Sequence, residues 1–285
     1  MPLDYDKLMA TKDVDLPLSY DDSNAILYAL SVGMGVNPID TKELPYVYEQ
    51  GDSFKIVPTF ATVLVPDMFP PGLGWDFSQV LHSEQRMELH NPLPIKADLL
   101  INKRVTDVFD WGPRKGALFL FEAEGRLACD NTLIFTLGCT VIARGDGGFG
   151  GPNGKGPRPH RAPKREPDFS CDLSTREDQA LLFRLTGDRN PLHADPTEAI
   201  KAGFDKPILH GMCSYGVACR AILKTICNYD CNLIKSFDAR FTSPVVPGDI
   251  ITTDIWQDGN TISFRCRVKE RNEIVLRNGI CILAS

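Results

Sequence analysis

Residues 183–199 read FRLTGDRNPLHADPTEA, which puts a carboxylate (Asp188), a carboxamide (Asn190) and an imidazole (His193) within six residues. A carboxylate and an imidazole that share one bound water can move its protons, and a carboxamide, donor and acceptor at once, can fix that water or the ring. Gly187 and Pro191 interrupt the run and suit a tight turn leaving a helix, which can aim all three side chains into one cleft. The same residues also fit a purely structural turn, with Asp188 and Asn190 accepting local backbone N–H groups and His193 a satisfied, partly buried ring. Downstream stands Pro207-Ile208-Leu209-His210-Gly211. A glycine opening a helix offers its main-chain N–H, aided by the helix dipole, to an oxygen on which negative charge develops, and it lets a bulky ligand approach closely. His210 either lines that cleft or is bonded to backbone. Cys213 reads as a core thiol in a small-residue stretch before it reads as a nucleophile paired with His210.

Such a turn needs a scaffold, and the chain supplies one twice. Tyr20-Asp21-Asp22-Ser23 can cap an apolar, helix-length stretch at 25–30 that stops at Gly33-Met34-Gly35, and the design recurs from Ser174 to Gly187. At an offset of 155, Ala25 falls on Ala180, Tyr28 on Phe183, Leu30 on Leu185 and Gly33 on Asp188, which marks an internal duplication. Residues 58–65 occupy the place of 207–212, and 85–94 parallel 239–248. Strands are expected over 97–108, 116–127, 132–143, 249–257, 260–269 and 273–283, rich in β-branched and aromatic residues between Gly, Asp or Asn turns. A helix followed by strands, twice over, predicts an α+β fold of two antiparallel sheets, each wrapping a central helix, paired edge to edge within the chain. The second central helix is expected to begin near Gly211, with Ser214, Gly216 and Ala218 allowing close packing. The boundaries are a first half at 1–144, a Gly/Pro-rich linker at 145–167 and a second half at 168–285. Residues 1 to about 17 read as a polar leading arm. The linker reads as a flexible tether whose Lys155, Arg158, His160, Arg161, Lys164 and Arg165 would suit a phosphate-bearing ligand; its glycines alone carry no phosphate-loop ending.

With 31 Lys+Arg against 37 Asp+Glu, the formal charge of −6 gives no general drive toward nucleic acid. A hydrophobic fraction of 43% beside 24% charged residues reads as soluble and globular, in one large domain or two ordinary ones. No run reaches the length of a membrane span, and the first residues are acidic where a signal peptide would be basic, so an intracellular protein is expected. Nine cysteines, an odd number in apolar contexts, read as reduced thiols, and Cys227 with Cys231 lacks the second pair a zinc site would need.

The run Phe183-x-Leu185-Thr186-Gly187-Asp188-x-Asn190-Pro191-Leu192-His193, then Ala199, resembles in full the signature of R-specific (type two) enoyl-CoA hydratases, the MaoC-like dehydratases. Residues 203–211, Ala239-Arg240-Phe241, Val80-Leu81-His82 with Glu84-Gln85, and Gly147-Gly148-Phe149-Gly150-Gly151 look like segments of the hydratase unit of peroxisomal multifunctional enzymes type two, so the likeness covers nearly the whole chain. The resemblance implies a double hot-dog fold and reversible hydration of trans-2-enoyl-CoA to (3R)-3-hydroxyacyl-CoA in fatty acyl-CoA metabolism. It implies no metal and no separate cofactor, coenzyme A being part of the substrate. Asp188, His193 and Asn190 would serve the water and Gly211 the thioester oxygen. The first half, with Gly33 in place of Asp188, would accommodate the acyl tail near Pro66, Phe69, Pro70, Pro71 and Gly72. Coenzyme A contacts are implied at His82, Ser83, Phe241 and a basic group near Trp111, here Arg114 or Lys115; Ser83 and Trp111 themselves depart from the family pattern. The ending Ile282-Leu283-Ala284-Ser285 is not of the Ser-Lys-Leu type, so peroxisome and cytoplasm both stay open. A homodimer is allowed, although the duplication already supplies the pairing. A hot-dog thioesterase and a nonenzymatic acyl-CoA-binding protein are the competing readings; the Asp188-Asn190-His193 set argues against the first.

Overall fold

Apolar residues alternate at Leu99, Ile101 and Val105 and again at Phe119, Phe121 and Ala123, giving neighbouring strands one shared buried face. In the computed structural model, which describes residues 3–50, 53–65, 68, 75 and 79–284, that face belongs to a ten-stranded sheet in which every neighbouring pair is antiparallel. The first half contributes α1 (Tyr5–Ala10), β1 (Lys12–Tyr20), α2 (Asp22–Ser31), β2 (Val80–Leu89), β3 (Ala97–Asp110), β4 (Ala117–Leu127) and β5 (Leu133–Ala143). The second contributes β6 (Phe169–Ser174), α3 (Gln179–Phe183), α4 (Pro196–Lys201), α5 (Gly211–Thr225), β7 (Ile234–Phe241), β8 (Ile250–Asp258), β9 (Thr261–Val268) and β10 (Glu273–Leu283). The strand order is β1-β3-β4-β5-β2-β7-β10-β9-β8-β6. All six expected strands are present, with ends within two residues of the expected ones.

The halves meet where β2 pairs with β7, Gln85 lying opposite Ala239 and Met87 opposite Phe237. The edge-to-edge pairing is therefore complete enough to make one continuous sheet of the two expected ones. Residues 12–17, expected within a polar arm, instead belong to the edge strand β1, which pairs with β3 and has an irregularity between Asp13 and Leu16 where Asp15 takes φ +53°. An edge tolerates Pro17, which has no N–H to offer a further strand.

The central helix α5 begins at Gly211, as expected, and all residues from Cys213 to Leu223 are buried. The Tyr215 hydroxyl donates to the Phe237 carbonyl and ties the helix to β7 at the seam. A methyl group on Gly216 would lie 2.5 Å from Val32 Cγ1 and 2.8 Å from the Tyr28 hydroxyl, so glycine is what lets α5 reach the end of α2. In the first half the corresponding place holds a six-residue 3-10 helix, Pro58–Val63, among the described residues. Pro66, Phe69, Pro70, Pro71 and Gly72, named above for the acyl tail, lie outside the described residues.

The linker is not a loose tether. Asp110, at the end of β3, accepts from the N–H groups of Gly112, Gly148 and Gly150 at 2.7–2.8 Å, so these amides are held by a carboxylate instead of standing open to a phosphate. The Trp111 indole donates to the Gly154 carbonyl, His160 bonds Ser263 at 2.8 Å, and the Trp256 indole donates to the Arg165 carbonyl. The segment thus straps the β3–β4 hairpin to β8 and β9.

Candidate active site

A short helix, a glycine and a capped turn position the candidate side chains. α3 runs into a single 3-10 turn, Arg184–Thr186, and Gly187 reverses the chain at φ +141°, a value that side chains rarely adopt. The Asp188 carboxylate then accepts from the Asn190 N–H at 3.0 Å, and the Asn190 carboxamide oxygen accepts from the Leu192 N–H at 3.0 Å, capping the 3-10 turn Pro191–His193. Of the two readings of Asn190, the cap is the one observed; its carboxamide nitrogen is the part left for a water. Asp195 caps α4, and fully buried Ala199 seats that helix.

His193 is only 8% exposed, and its Nδ1 lies 2.8 Å from the Ile208 carbonyl. A carbonyl can only accept, so Nδ1 carries the hydrogen and a neutral ring presents its Nε2 lone pair. Burial lowers the His193 pKa, against the opposing influences of the Ile208 bond and the Asp188 charge, and so favours the neutral base. His210, 1% exposed, stacks on His193 with ring centroids 3.7 Å apart and planes at 27°. Burial first, and the neighbouring His193 second, hold His210 down to about 4. Its Nε2 lies 3.3 Å from the main-chain carbonyl of Asp188.

The ligand atoms of Asp188, His193 and His210 all lie within 4.8 Å of one another, a donor set of the kind that can hold a metal. Imidazole lone pairs lie in their ring planes, however, and two rings stacked this closely direct them side by side instead of toward one point. Cys213 is not a partner of His210: its thiol donates toward the Ser31 carbonyl, Gln179 donates to its sulfur, and burial pushes it up to about 12.

Gly211 opens α5, so its N–H has no acceptor within the helix. A methyl group there would come within 3.0 Å of Phe241 Cδ1. Phe241 in turn lies against His82, with ring centroids 4.8 Å apart, and β2 thereby delivers a first-half residue to the second-half site across the seam. Burial pushes His82 down to about 4, opposed by its bond to the Glu84 carbonyl and by the Asp188 charge. Ser83 faces elsewhere, its hydroxyl donating to the Thr140 carbonyl at 3.2 Å. Arg114 and Lys115 are exposed in the turn between β3 and β4, at the end of the sheet where Ala117 lies opposite Ala143 and Ala143 opposite Val80, two residues before His82.

Sequence reasoning left Phe183 and Ile208 without roles. Phe183 lies 4.9 Å from His210, ring to ring, and Ile208 sets the His193 tautomer. Both lie inside the quoted motifs, which is the signal that pointed to them. A buried Glu43–Arg220 pair, 177 residues apart, had no such signal.

A family model described as MaoC like domain matches residues 159–278, and one described as MFE-2 hydratase 2 N-terminal domain matches 18–145. Enoyl-CoA hydratase ChsH3 of Mycobacterium tuberculosis is 34% identical, with 98% of each chain covered. The peroxisomal enoyl-CoA hydratase 2 of Arabidopsis thaliana is 35% identical over 95% of this chain and 93% of its own. The crystal structure of a MaoC-like dehydratase from Phytophthora capsici superposes with a TM-score of 0.88 at 31% identity, covering 99% of this chain and 98% of that one. With both halves matched in order and the relatives aligned nearly end to end, the chain belongs to the MaoC-like, type two enoyl-CoA hydratase family.

Proposed function

We propose that the protein reversibly hydrates trans-2-enoyl-CoA to (3R)-3-hydroxyacyl-CoA. One observation carries the reading: a buried imidazole locked as the Nδ1–H tautomer, its Nε2 free, shares a site with the Asp188 carboxylate beside the first N–H of α5. In the hydration direction, a water held between Asp188 and His193 adds its oxygen to the β carbon while Nε2 takes one of its protons. The electron pair of the double bond moves toward the thioester carbonyl, whose growing charge meets the Gly211 N–H. As the enolate collapses, the proton passes from Nε2 to the α carbon, and the net addition is one water. Asp188 steadies the transient imidazolium, and burial makes that ion short-lived. The R configuration rests on the family likeness.

The reaction as drawn uses no metal and no separate cofactor. Phe241 and His82 form the apolar wall next to Gly211, suited to the thioester and the pantetheine arm. Arg114 and Lys115, on the hairpin tip, would reach only the far, phosphate end of so long a ligand. Every group named comes from one chain, so the site does not depend on whether two copies associate. Several relatives are named as peroxisomal enzymes, which supports a role in acyl-CoA metabolism; peroxisome and cytoplasm both stay open for this chain.

The test is incubation of purified protein with crotonyl-CoA and a medium-chain trans-2-enoyl-CoA, following enoyl absorbance and coupling separately to R- and S-specific hydroxyacyl-CoA dehydrogenases. Product seen only by the R-specific enzyme is expected. Release of free coenzyme A would replace the reading with a thioesterase, and binding without turnover would replace it with an acyl-CoA-binding protein.

A further inference from the structure

The imidazole of His210 does more than fill space. It is buried, it lies against His193 with centroids 3.7 Å apart, and Phe183 lies 4.9 Å from it. Its Nε2 lies 3.3 Å from the Asp188 carbonyl, which can only accept, so Nε2 carries the hydrogen and Nδ1 is a lone pair. That Nδ1 is buried with no hydrogen-bond partner among the described residues. An unmet acceptor is a cost to the folded state. A phenyl ring in the same space would stack on His193 as well and carry no such cost. What the imidazole adds over a phenyl ring is the N–H to the main chain of Asp188.

We propose that His210 is a positioning residue for the hydration reaction: its face holds the His193 ring and its Nε2–H holds the Asp188 backbone, so one side chain sets the separation of the two reacting groups. The inference rests on the hydratase reading above. Neither contact is made to substrate, and so His210 acts through its neighbours. The geometry has a directional consequence. Loss of the N–H frees the Asp188 segment, which is otherwise held by an exposed turn, while His193 stays covered and aimed by the Ile208 carbonyl. Loss of the ring, with the N–H kept, leaves the Asp188 segment held but lets water reach His193. The low pKa of His210 agrees with a ring that stays neutral throughout.

The experiment compares wild type, His210→Phe and His210→Gln in the crotonyl-CoA assay, with thermal melts and the pH dependence of kcat for each. His210→Phe keeps the ring and removes the donor; His210→Gln keeps an amide donor of similar reach and removes the stack. The expected result for His210→Phe is a melting temperature no lower than wild type, a kcat reduced roughly 10- to 100-fold with KM within about 3-fold, and an unmoved acid limb. His210→Gln should recover part of kcat, with its acid limb shifted upward toward the ordinary histidine range. A His210→Phe enzyme with wild-type kcat overturns the proposal and leaves His210 as core packing. Equal kcat losses in both variants, tracking their melting temperatures, overturn it as well. A folded wild type that hydrates neither enoyl-CoA overturns the hydratase reading, and this proposal with it.

Discussion

Arg220 holds Glu43 in a two-pronged ion pair, Nε to Oε1 at 2.8 Å and Nη2 to Oε2 at 3.1 Å, with both side chains buried. The guanidinium also occupies the space beside Gly33, where a methyl group would lie 2.8 Å from Nη1, and Gly33 is the repeat counterpart of Asp188. The Tyr229 hydroxyl and the Gly35 N–H complete the shell around Glu43. In the first half, then, a structural ion pair sits where the second half carries Asp188, the carboxylate of the proposed reaction. Gly33 stands at φ +88°, which adds a backbone reason for glycine to the steric one.

Removing one partner of that pair leaves the other charged and buried. Glu43→Gln and Arg220→Met should each lose about 3–5 kcal/mol of stability. The double variant should lose less than the sum of the two. Urea melts of the three variants measure this, and additive losses would show that the two side chains do not interact.

Asp188→Asn and His193→Ala should each lower turnover by about 10²- to 10⁴-fold, the range for removal of a positioned acid or base. Asp188 is exposed, so its variant should melt close to wild type. Enoyl absorbance at saturating substrate, recorded beside a thermal melt, separates lost chemistry from lost fold.

The pH dependence has a definite sign. In the proposed reaction the neutral form of His193 is the base, and burial lowers its pKa, so kcat should rise with pH through a limb below the ordinary imidazole range and stay level above it. Stability moves the same way. His82 and His210 titrate at about 4 in the folded protein but near the ordinary histidine value when unfolded, so the unfolded chain binds more protons between those limits. Their contribution is present at neutral pH and is lost as pH falls through that window. Asp238, raised to about 6 chiefly by burial, opposes part of the change. Melts between pH 7 and pH 4 should show a net decline on acidification; a rise would give Asp238 the larger share.

Asp110→Ala should release the Gly148 and Gly150 amides and loosen the strap. A stability loss of about 1–2 kcal/mol is expected for charge-assisted bonds at a half-exposed site. Cleavage within 145–167 under limited proteolysis should speed up. Unchanged cleavage would show that Trp111, His160 and Trp256 hold the segment without it.

Runs of β-branched and aromatic residues between turn residues, with the 155-residue repeat, made the architecture legible from residue order, because strands and turns each favour particular side chains. Asp188, His193 and Gly211 were legible for a related reason: turn chemistry constrains Gly187, Asn190 and Pro191 locally, so the motif travels with its geometry. The edge strand β1 was hidden by Pro17 and a bulge, which break the alternation, and the strap was hidden because glycine and proline mark loops without saying whether a carboxylate such as Asp110 will hold them.

Residue order alone therefore determined that the chain is a duplicated helix-and-strand unit with a carboxylate and an imidazole on one turn. Tertiary structure decided which nitrogen of His193 is free, through the Ile208 carbonyl, and brought His210 onto its face. It also carried His82 across the β2–β7 seam to Phe241 and set Arg220 against Glu43. These are contacts between residues distant in sequence or facing by virtue of packing, and only the continuous sheet with α5 packed on it brings them within hydrogen-bonding or stacking distance.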